Sequence, residues 1–482
     1  MQAFKKFMRE ANLIAGVWRG ARSGKTFEVN NPATGEIIGT VPDADGEDTR
    51  EAIAAAQEAF LSWRKTTAAQ RAAIMRKLAA ALEANKEDLA RLLTTEQGKS
   101  LTEARAEISG SANYVLWFSE EARRIYGDTV PSPWSERRIL VLKEPVGVVG
   151  AITPWNFPSL MLSRKIGAAL AAGCTVVAKP ASQTPYSALA WGLMAEEAGL
   201  PPGVINIVTG DARKIGKELT ENPVVKKITF TGSTGVGKAL VAQAAGTMKR
   251  VSMELGGNAP FIVFDDADID AAVAGAIQSK FRNSGQTCVC VNRFLVQSGI
   301  HDAFVEKLGA AIAELKVGNG LEEGTDQGPL IDVKGVEKVE EHVVDAVGQG
   351  AHVVAGGRRH TLGGSFFEPT LIVGVTPSMK VAREETFGPV AAVFRFEREE
   401  EAIAMANDTE FGLAAYAYTR DLGRTFRVLE GLEYGQVGIN AGVITTEVAP
   451  FGGVKESGMG SEGSKYGVEE YLNVKYGCIG IA

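Results

Sequence analysis

Apolar residues recur at three- and four-residue spacing through the first part of the chain. The spacing is clearest in residues 49–66 (TREAIAAAQEAFLSWRKT) and residues 68–99 (AAQRAAIMRKLAAALEANKEDLARLLTTEQGK). Because an α-helix turns once every 3.6 residues, this spacing lines one helix face with apolar side chains. The first part of the chain is therefore predicted to be rich in helices.

The pattern changes at about residue 140, where short apolar runs begin to alternate with alanine-rich helical stretches. The runs are VGVVGAIT (146–153), TVVAK (175–179), VINIVTG (204–210), KKITFTG (226–232) and APFIVF (259–264). A second series follows, with RFLVQ (293–297), HVVAGG (352–357) and PTLIVGV (369–375). This alternation predicts two α/β domains built on parallel sheets, with a ligand site between them at the carboxyl ends of strands.

Charge and composition exclude several classes of protein. The chain has 482 residues, of which 45% are hydrophobic and 23% are charged, and its net charge is -7. Such a mildly acidic chain shows no basic footprint for nucleic acid and no polybasic patch for a membrane. The apolar stretch IGAALAAGCTVVA (166–178) is shorter than the ~20 residues that a membrane-spanning helix needs.

The compartment and the metal content can also be predicted. The first residues interrupt their apolar positions with Lys5, Lys6, Arg9 and Glu10, so no secretory signal is predicted. Four cysteines in so long a chain do not make a disulfide framework. Four histidines without a Cys/His cluster at ligand spacing argue against zinc. A cytoplasmic protein without a metal is expected.

The glycine-rich stretch FTGSTGVGKA (230–239) contains G-S-T-G-V-G-K and so fits most of a phosphate-binding P-loop. A P-loop also needs Ser or Thr after the lysine, because that hydroxyl binds magnesium, and here the residue is Ala239. The stretch is equally irregular as the dinucleotide fingerprint G-x-G-x-x-G. What remains is a strand-to-helix turn at Gly232 whose backbone N–H groups receive a phosphate, with Ser233 adding a hydroxyl.

Two cysteines lie in KFRNSGQTCVCVNRF (280–294), where a polar turn leads into a predicted strand. A lone cysteine is more often a small buried hydrophobe than a nucleophile, although the polar approach to Cys288 favours chemistry. Cys290 is two residues on, and side chains two apart in a strand face the same way. No histidine is near in sequence to act as the base that a thiol nucleophile needs.

Other polar residues follow predicted strands. They are Asn156 in TPWNFP, Lys179 and Ser182 in TVVAKPASQTP, and Glu254 in VSMELGG. Each has an ordinary interpretation, as a helix cap, a solvated lysine or an exposed turn acid. Each also lies where doubly wound folds bind ligands, and an asparagine amide there can donate to an oxyanion. The residues alone leave these alternatives open.

Taken together and in order, seven segments resemble the aldehyde dehydrogenase superfamily over nearly the entire chain. They are TPWNFP, AAGCTVVAKPA, FTGSTGVG, MELGGNAPFIVFDDAD, GQTCVCVNR, EETFGPV and PFGGVKESGMG. Within the superfamily, KFRNSGQTCVC and GSKYGVEEYLNVKYGCIG are similar to the bacterial, NADP-preferring succinate-semialdehyde dehydrogenases. The resemblance implies a Rossmann-type cofactor domain, an α/β catalytic domain and a small β oligomerisation arm.

The resemblance also implies how the chain is divided. Residues 1–120 and 140–254 are expected to form the dinucleotide-binding domain, and residues 255–454 the catalytic domain. Residues 121–139 and 455–482 are expected to form the arm, which would pair with another subunit in a homodimer or homotetramer.

The chemistry that the resemblance implies needs three residues. Cys288 is expected to add to the aldehyde carbon, while Asn156 and the backbone N–H of Cys288 stabilise the oxyanion. After hydride transfer, Glu254 is expected to activate the water that hydrolyses the thioester. The implied reaction is oxidation of succinate semialdehyde to succinate with reduction of NADP.

The cofactor positions implied by the resemblance are Trp155, Lys179, Ser182, Gly232, Ser233, Leu255 and Glu385. Glu385 is expected to hold the nicotinamide ribose. NAD-preferring relatives often carry glutamate at the position of Ser182, where a carboxylate bonds the ribose hydroxyls and repels a 2′-phosphate. Because Ser182 removes that charge and Lys179 attracts the phosphate, NADP is expected in preference to NAD.

The substrate positions are implied in the same way. Arg164 and Arg282 match positions that bind a distal carboxylate, for which the arginine fork is suited. The family usually has serine where this chain has Thr445, and the added methyl group leaves glutarate semialdehyde open as the substrate. Cys290 resembles a partner that forms a reversible disulfide with the nucleophile, although same-face neighbours in a strand would strain that bond.

Two other classes of protein are alternatives to an aldehyde dehydrogenase. A P-loop nucleotide hydrolase lacks its metal-binding hydroxyl at Ala239. A catalytically silent binding protein would not be expected to keep both Cys288 and Glu254.

Overall fold

The computed structural model describes residues 3–481, whose strands form two large sheets and three small ones. An eight-stranded sheet has the spatial order Val17–Arg19, Asn12–Ile14, Ile205–Ile207, Thr175–Lys179, Val148–Ile152, Val225–Thr231, Arg250–Glu254 and Gly458–Met459. The five strands from Ile205–Ile207 to Arg250–Glu254 are parallel. Asn12–Ile14 and Gly458–Met459 pair antiparallel with the two ends of this set, and Val17–Arg19 pairs antiparallel with Asn12–Ile14. This doubly wound sheet is the one predicted for the cofactor domain.

A seven-stranded sheet forms the core of the second half of the chain. Its spatial order is His352–Ala355, Thr370–Val373, Val390–Phe396, Val291–Gln297, Ala259–Val263, Ala414–Tyr418 and Gln436–Ile439. Only the edge strand His352–Ala355 is antiparallel to its neighbour. Nearly all residues of the central strands are buried, as expected for parallel strands that are covered by helices on both faces.

A three-stranded antiparallel sheet corresponds to the predicted arm and consists of Leu472–Gly480, Arg137–Pro145 and Asp128–Val130. The strand Arg137–Pro145 continues past residue 139, because its full length pairs with Leu472–Gly480. Residues 140–145 therefore share the sheet of the predicted arm, and the domain boundaries stay a prediction. Two-stranded pairs join Thr26–Asn30 to Ile37–Pro42 and Phe411–Gly412 to Val454–Lys455.

Helices cover both large sheets. The α-helices are Gly46–Trp63, Ala68–Ala84, Lys86–Gln97, Leu101–Glu121, Pro158–Ala172, Pro185–Glu197, Ala212–Glu221, Thr234–Ala244, Ile269–Lys280, His301–Ala313, Val333–Gly348, Lys380–Arg383, Glu399–Asn407, Leu422–Gly431 and Ser464–Glu469. The short 3₁₀ helices are Ala3–Phe7, Ala122–Arg124, Ala245–Thr247 and Arg282–Gly285. Within residues 3–481, none of these helices combines the length and the hydropathy that crossing a membrane requires.

The helix Pro158–Ala172 is buried along its whole length and packs against Leu101–Glu121. It begins with proline at its first position, where a missing N–H is tolerated, and ends at Gly173 in the left-handed conformation (φ 94°). Its start follows the strand Val148–Ile152 by a few residues. This connection carries Trp155 and Asn156 to the carboxyl edge of the eight-stranded sheet.

Candidate active site

A cavity of about 370 Å³ lies at the carboxyl edge of the eight-stranded sheet and is closed on its other side by the second domain. The predicted site residues that line it are Trp155, Asn156, Gly232, Ser233, Leu255, Cys288 and Glu385. The second domain contributes Ile331, Asp332, Lys334, Gly335, Lys338, Thr386 and Phe387 to its wall. The structure therefore brings the predicted nucleophile and part of the predicted cofactor set into one interdomain cleft.

The segment that leads to Cys288 has an unusual backbone. Asn283 and Ser284 have left-handed φ angles of 51° and 54°, and Gly285 follows at 75°. A Cβ atom at Gly285 would lie 2.1 Å from the carbonyl oxygen of Gly388, so only glycine fits there. Non-glycine residues in this conformation cost free energy, and such strain is found where a loop must be held in one position.

Cys288 and Cys290 are not on one face of a strand, so that expectation was wrong. Both precede the strand Val291–Gln297, and the N–H of Cys290 donates to the carbonyl of Thr287 across a turn (3.0 Å). Cys288 lines the cavity, whereas Cys290 is buried with its Sγ 3.3 Å from Lys280 Nζ. The disulfide between the two cysteines stays a prediction.

Burial dominates the ionisation of Cys288. It raises the pKa of the thiol to about 12, and the charges of Glu385 and Glu254 act in the same direction. The guanidinium of Arg164 lowers this pKa and is the largest opposing influence. The ligand-free site therefore holds a thiol at neutral pH, and a base or a change of surroundings is needed to make a thiolate.

The side chain of Asn156 is fixed by the loop that carries Cys288. Its Nδ2 donates to the carbonyl oxygen of Gln286 at 3.0 Å, and only 5% of the residue is exposed. An amide nitrogen carries two hydrogens, so this bond leaves one N–H of Asn156 that can donate a hydrogen bond to a ligand oxygen in the cavity.

Glu254 is the last residue of the strand Arg250–Glu254 and lies outside the lining of the cavity. Its carboxylate oxygens are buried and make no hydrogen bond within the described residues. Burial raises the pKa of Glu254 well above its usual value, and the nearby carboxylate of Glu462 raises it further. A carboxyl whose pKa is raised by burial has the property that a general base needs.

The glycine turn does not behave as a P-loop. The lysine of its G-K pair, Lys238, is exposed and forms an ion pair with Glu456 at 2.6 Å, outside the cavity. Ser233 begins the helix Thr234–Ala244 and makes no capping bond through its side chain. A Cβ at Gly232 would lie 2.4 Å from the ring of Phe230, so the backbone itself forms this wall.

Lys179 and Ser182 lie beyond the lining of this cavity. Lys179 ends the strand Thr175–Lys179 beside Ile152 of the neighbouring strand, at the same carboxyl edge. Within residues 3–481 its ammonium makes no hydrogen bond or ion pair, and burial lowers the pKa of Lys179 to about 8. Ser182 is exposed in the turn that follows.

Glu385 is half-buried, and the loss of hydration raises the pKa of its carboxyl to about 7. Its Oε1 accepts a bond from the N–H of Gly257 at 3.2 Å. Two residues on, Phe387 has a left-handed φ of 54°, and its ring meets that of Trp155 edge-on at 5.5 Å. The segment EETFGPV (384–390) is one of the family motifs found in the sequence. Nothing in its residue types indicated that Phe387 lines the cavity.

The predicted substrate residues are separated by the structure. Arg282 and Thr445 line a second cavity of about 600 Å³, together with Tyr114. Arg164 is 2% exposed and lines neither cavity. Its guanidinium carbon lies 4.1 Å from the ring centroid of Phe451 and 5.1 Å from that of Tyr114.

Two nitrogens of the Arg164 guanidinium are buried without a hydrogen-bond partner among the described residues. The nearest carboxylate, Glu462, is 3.8 Å away. Buried donors without a partner are costly, and the role of Arg164 in binding the substrate carboxylate stays a prediction.

A doubly wound sheet with a glycine turn at its carboxyl edge, facing a cysteine across an interdomain cleft, defines a dinucleotide-dependent enzyme. The chain belongs to the aldehyde dehydrogenase family, whose model matches residues 18–476. The enzymes of this family use NAD or NADP. The resemblance seen in the sequence, and the fold that it implies, are confirmed.

Particular relatives match almost from end to end. The chain is 60% identical over 475 residues to glutarate-semialdehyde dehydrogenase of Pseudomonas aeruginosa, covering 98% of each protein. It is 58% identical over 473 residues to succinate-semialdehyde dehydrogenase [NADP(+)] of Escherichia coli, also covering 98% of each. A crystal structure of an E. coli NADP-dependent enzyme superposes with a TM-score of 0.99 at 56% identity, covering 100% of both chains.

Proposed function

We propose that the protein oxidises succinate semialdehyde to succinate with reduction of NADP. The observation that supports this most directly is the shared cleft of Cys288, Asn156 and the cofactor-type residues. A second cavity contains Arg282. The E. coli relative named above as an NADP-dependent succinate-semialdehyde dehydrogenase is 58% identical to this chain over 98% of each protein. Glutarate semialdehyde is the second candidate, because the P. aeruginosa relative is named for it and Thr445 lines the substrate-side cavity.

The residues of this chain divide the work as follows. Glu254 takes the proton of the Cys288 thiol, and the sulfur adds to the aldehyde carbon. The free N–H of Asn156 stabilises the oxyanion that forms. NADP, when bound, supplies the acceptor for the hydride that leaves this carbon. Glu254 takes a proton from the water that hydrolyses the resulting thioester, for which its raised pKa is suited.

The site fits a dinucleotide. The bare backbone at Gly232 and the helix Thr234–Ala244 offer N–H groups to a pyrophosphate. The unpaired ammonium of Lys179 and the absence of a carboxylate at Ser182 favour a ribose with a 2′-phosphate. In this proposal Glu385 accepts bonds from the hydroxyls of the second ribose.

The proposal also includes a cytoplasmic homo-oligomer that acts on a small molecule. One face of the three-stranded sheet exposes the apolar side chains of Val130, Val474 and Tyr476. Such a surface favours burial against a second copy of the chain.

A steady-state comparison of succinate and glutarate semialdehyde, each with NADP and with NAD, tests the proposed function. We expect the highest kcat/KM with succinate semialdehyde and NADP. A higher value with glutarate semialdehyde would select the second candidate. Cys288→Ala is the matched control, and NADPH formation that survives in this variant would contradict the mechanism.

The carboxylate site can be tested separately through Arg282. Replacing Arg282 with Ala removes a cation from the second cavity and is expected to lower kcat/KM for the semialdehyde by about 10- to 100-fold, as for a lost charged hydrogen bond of ~1.5–3 kcal/mol. Butanal, which has the same chain length without the carboxylate, provides the comparison. Equal losses with both aldehydes would argue against a carboxylate site at Arg282.

A further inference from the structure

A buried ion pair lies directly behind Asn156, outside the cavity that Cys288 lines. Lys99 Nζ is 2.6 Å from Glu107 Oε2, and at most 1% of either side chain is exposed. The same ammonium donates to the main-chain carbonyl oxygen of Asn156 at 2.8 Å and lies 3.6 Å from the ring centroid of Phe157. Because a buried ion pair costs much desolvation and contributes little net stability, this one needs another explanation.

Glu107 fixes the other side of the same connection. Its Oε1 accepts bonds from the N–H groups of Ser159 (2.9 Å) and Leu160 (3.2 Å), in the first turn of the helix Pro158–Ala172. These N–H groups have no partner within the helix. Lys99 and Glu107 together therefore hold the peptide of Asn156 and the first helical turn after it.

The segment that carries Cys288 also hydrogen-bonds to the main-chain carbonyl oxygen of Asn156. Asn283 Nδ2 donates to the carbonyl oxygen of Asn156 at 3.0 Å and to that of Gln286 at 3.2 Å. Gln286 also accepts from the side chain of Asn156. The carbonyl oxygen of Asn156 thus joins the ammonium of Lys99 to the segment that carries Cys288.

The local sequence explains why Lys99 turns inward. Lys99 lies in the three-residue link between the helices Lys86–Gln97 and Leu101–Glu121. Gly98 before it is left-handed (φ 98°), and a Cβ there would lie 2.7 Å from Pro329 Cγ. Only glycine permits this tight turn, which directs the lysine side chain to the interior.

We propose that Lys99, paired with Glu107, is a positioning residue that orients the amide of Asn156 toward the oxyanion formed at Cys288. This inference rests on the proposed function, in which Asn156 stabilises that oxyanion. Lys99 does not line the cavity and acts through the main-chain carbonyl of Asn156. A donor that is displaced from the oxyanion loses part of its stabilisation of the transition state without a loss of substrate binding.

Replacing Lys99 with Met tests the proposal, because the substitution removes the ammonium group and keeps most of the length of the side chain. We expect kcat to fall about 10- to 100-fold, with both KM values changed by less than about threefold. The upper limit is the loss of an oxyanion donor altogether, roughly 10²- to 10³-fold. The double variant Lys99→Met with Glu107→Gln avoids an unpaired buried carboxylate and should show the same fall if the single variant does not fold.

Arg71→Met is the matched structural control. Arg71 is also buried, and its Nε donates to the carbonyl of Ala171 at 3.1 Å, at the opposite end of the helix Pro158–Ala172. The Arg71→Met variant should lose thermal stability and keep the kcat of the parent enzyme. An equal fall in kcat for both variants, or an unchanged kcat in Lys99→Met, would overturn the proposal.

Asn156→Ala separates this inference from the proposed function. If Lys99 acts through Asn156, adding Lys99→Met to Asn156→Ala should slow the enzyme no further. Additive losses would show that Lys99 acts by another route and would overturn the proposal. Full activity in Asn156→Ala would overturn the role of Asn156 itself, whereas a slow Asn156→Ala beside a normal Lys99→Met would overturn the positioning role alone.

Discussion

Burial sets the protonation of the residues on which the proposed chemistry depends. The thiol of Cys288 and the carboxyls of Glu254 and Glu385 all have raised pKa values for this reason. The same effect lowers the pKa of Lys179, because the charged form of each group loses its hydration. Burial therefore favours the uncharged form of each of these groups.

The alkylation rate of Cys288 is expected to follow from its raised pKa. With the pKa at about 12, the thiolate fraction should rise about tenfold per pH unit, so inactivation by iodoacetamide should show no plateau between pH 7 and 9. The measurement belongs in a Cys478→Ser background, because Cys478 is exposed. Arg164→Met should slow alkylation, since the guanidinium lowers the pKa of the thiol; a plateau near pH 7 would contradict the account.

The preference for NADP is expected to weaken as pH rises. The folded-state pKa of Lys179 is about 8, below its usual value, so its ammonium is present below pH 8 and is lost above it. The KM for NADP should therefore increase between pH 7 and 9 by more than the KM for NAD, about threefold or greater. Lys179→Met should remove this difference in pH dependence, and equal pH dependence for both cofactors in the parent enzyme would argue against a phosphate contact at Lys179.

At the scale of elements, the segment Arg282–Gly285 decides where the nucleophile lies. Gly285→Ala is expected to abolish most activity and to lower the unfolding temperature, because the new Cβ would lie 2.1 Å from the carbonyl oxygen of Gly388. Gly199→Ala is the control, since Gly199 has nearly the same φ (76°) with open space around its Cβ position. It should cost only the ~1–2 kcal/mol of a left-handed residue, and equal effects in the two variants would contradict the steric argument.

The regular elements were predicted well because their apolar periodicity is a local property of the chain. The helices Gly46–Trp63 and Ala68–Ala84 follow the three- and four-residue spacing, and the strand Thr175–Lys179 follows its apolar run. The segment of Cys288 was misjudged as strand because its conformation depends on Gly388 and Gly328, which are distant in sequence. Contacts of this kind leave no periodic signal.

The site residues show the same division. The identities of Cys288, Asn156 and Glu254 are visible in short motifs. The residues that contact them are not visible in such motifs. Lys99 and Glu107 come close to Asn156 only after segments far apart in sequence have packed together.

At the scale of the whole molecule, the exposed apolar face of the three-stranded sheet should control assembly. Val474 and Tyr476 lie on one face of the strand Leu472–Gly480 and are 68% and 59% exposed. Replacing both with Asp is expected to lower the oligomeric state, because a charge is costly to bury at an interface. Sedimentation velocity measures the change.

Asn473→Asp provides the control for this prediction. Asn473 is exposed on the opposite face of the same strand, so the charge is added without burial against a neighbour. An unchanged sedimentation coefficient is expected for this variant. If the paired Asp variant also kept the parental value, the three-stranded sheet would not be the assembly surface.

The sequence by itself determined the alternation of strands and helices and the glycine turn at residues 230–239, and its motifs predicted Cys288 as the nucleophile. These depend on residues close together in the chain, so periodicity and motifs display them. Only the tertiary structure decided that Arg282 and Thr445 share a cavity from which Arg164 is absent, and that Lys99 supports Asn156. Those relations join segments far apart in sequence, and packing alone brings them into contact.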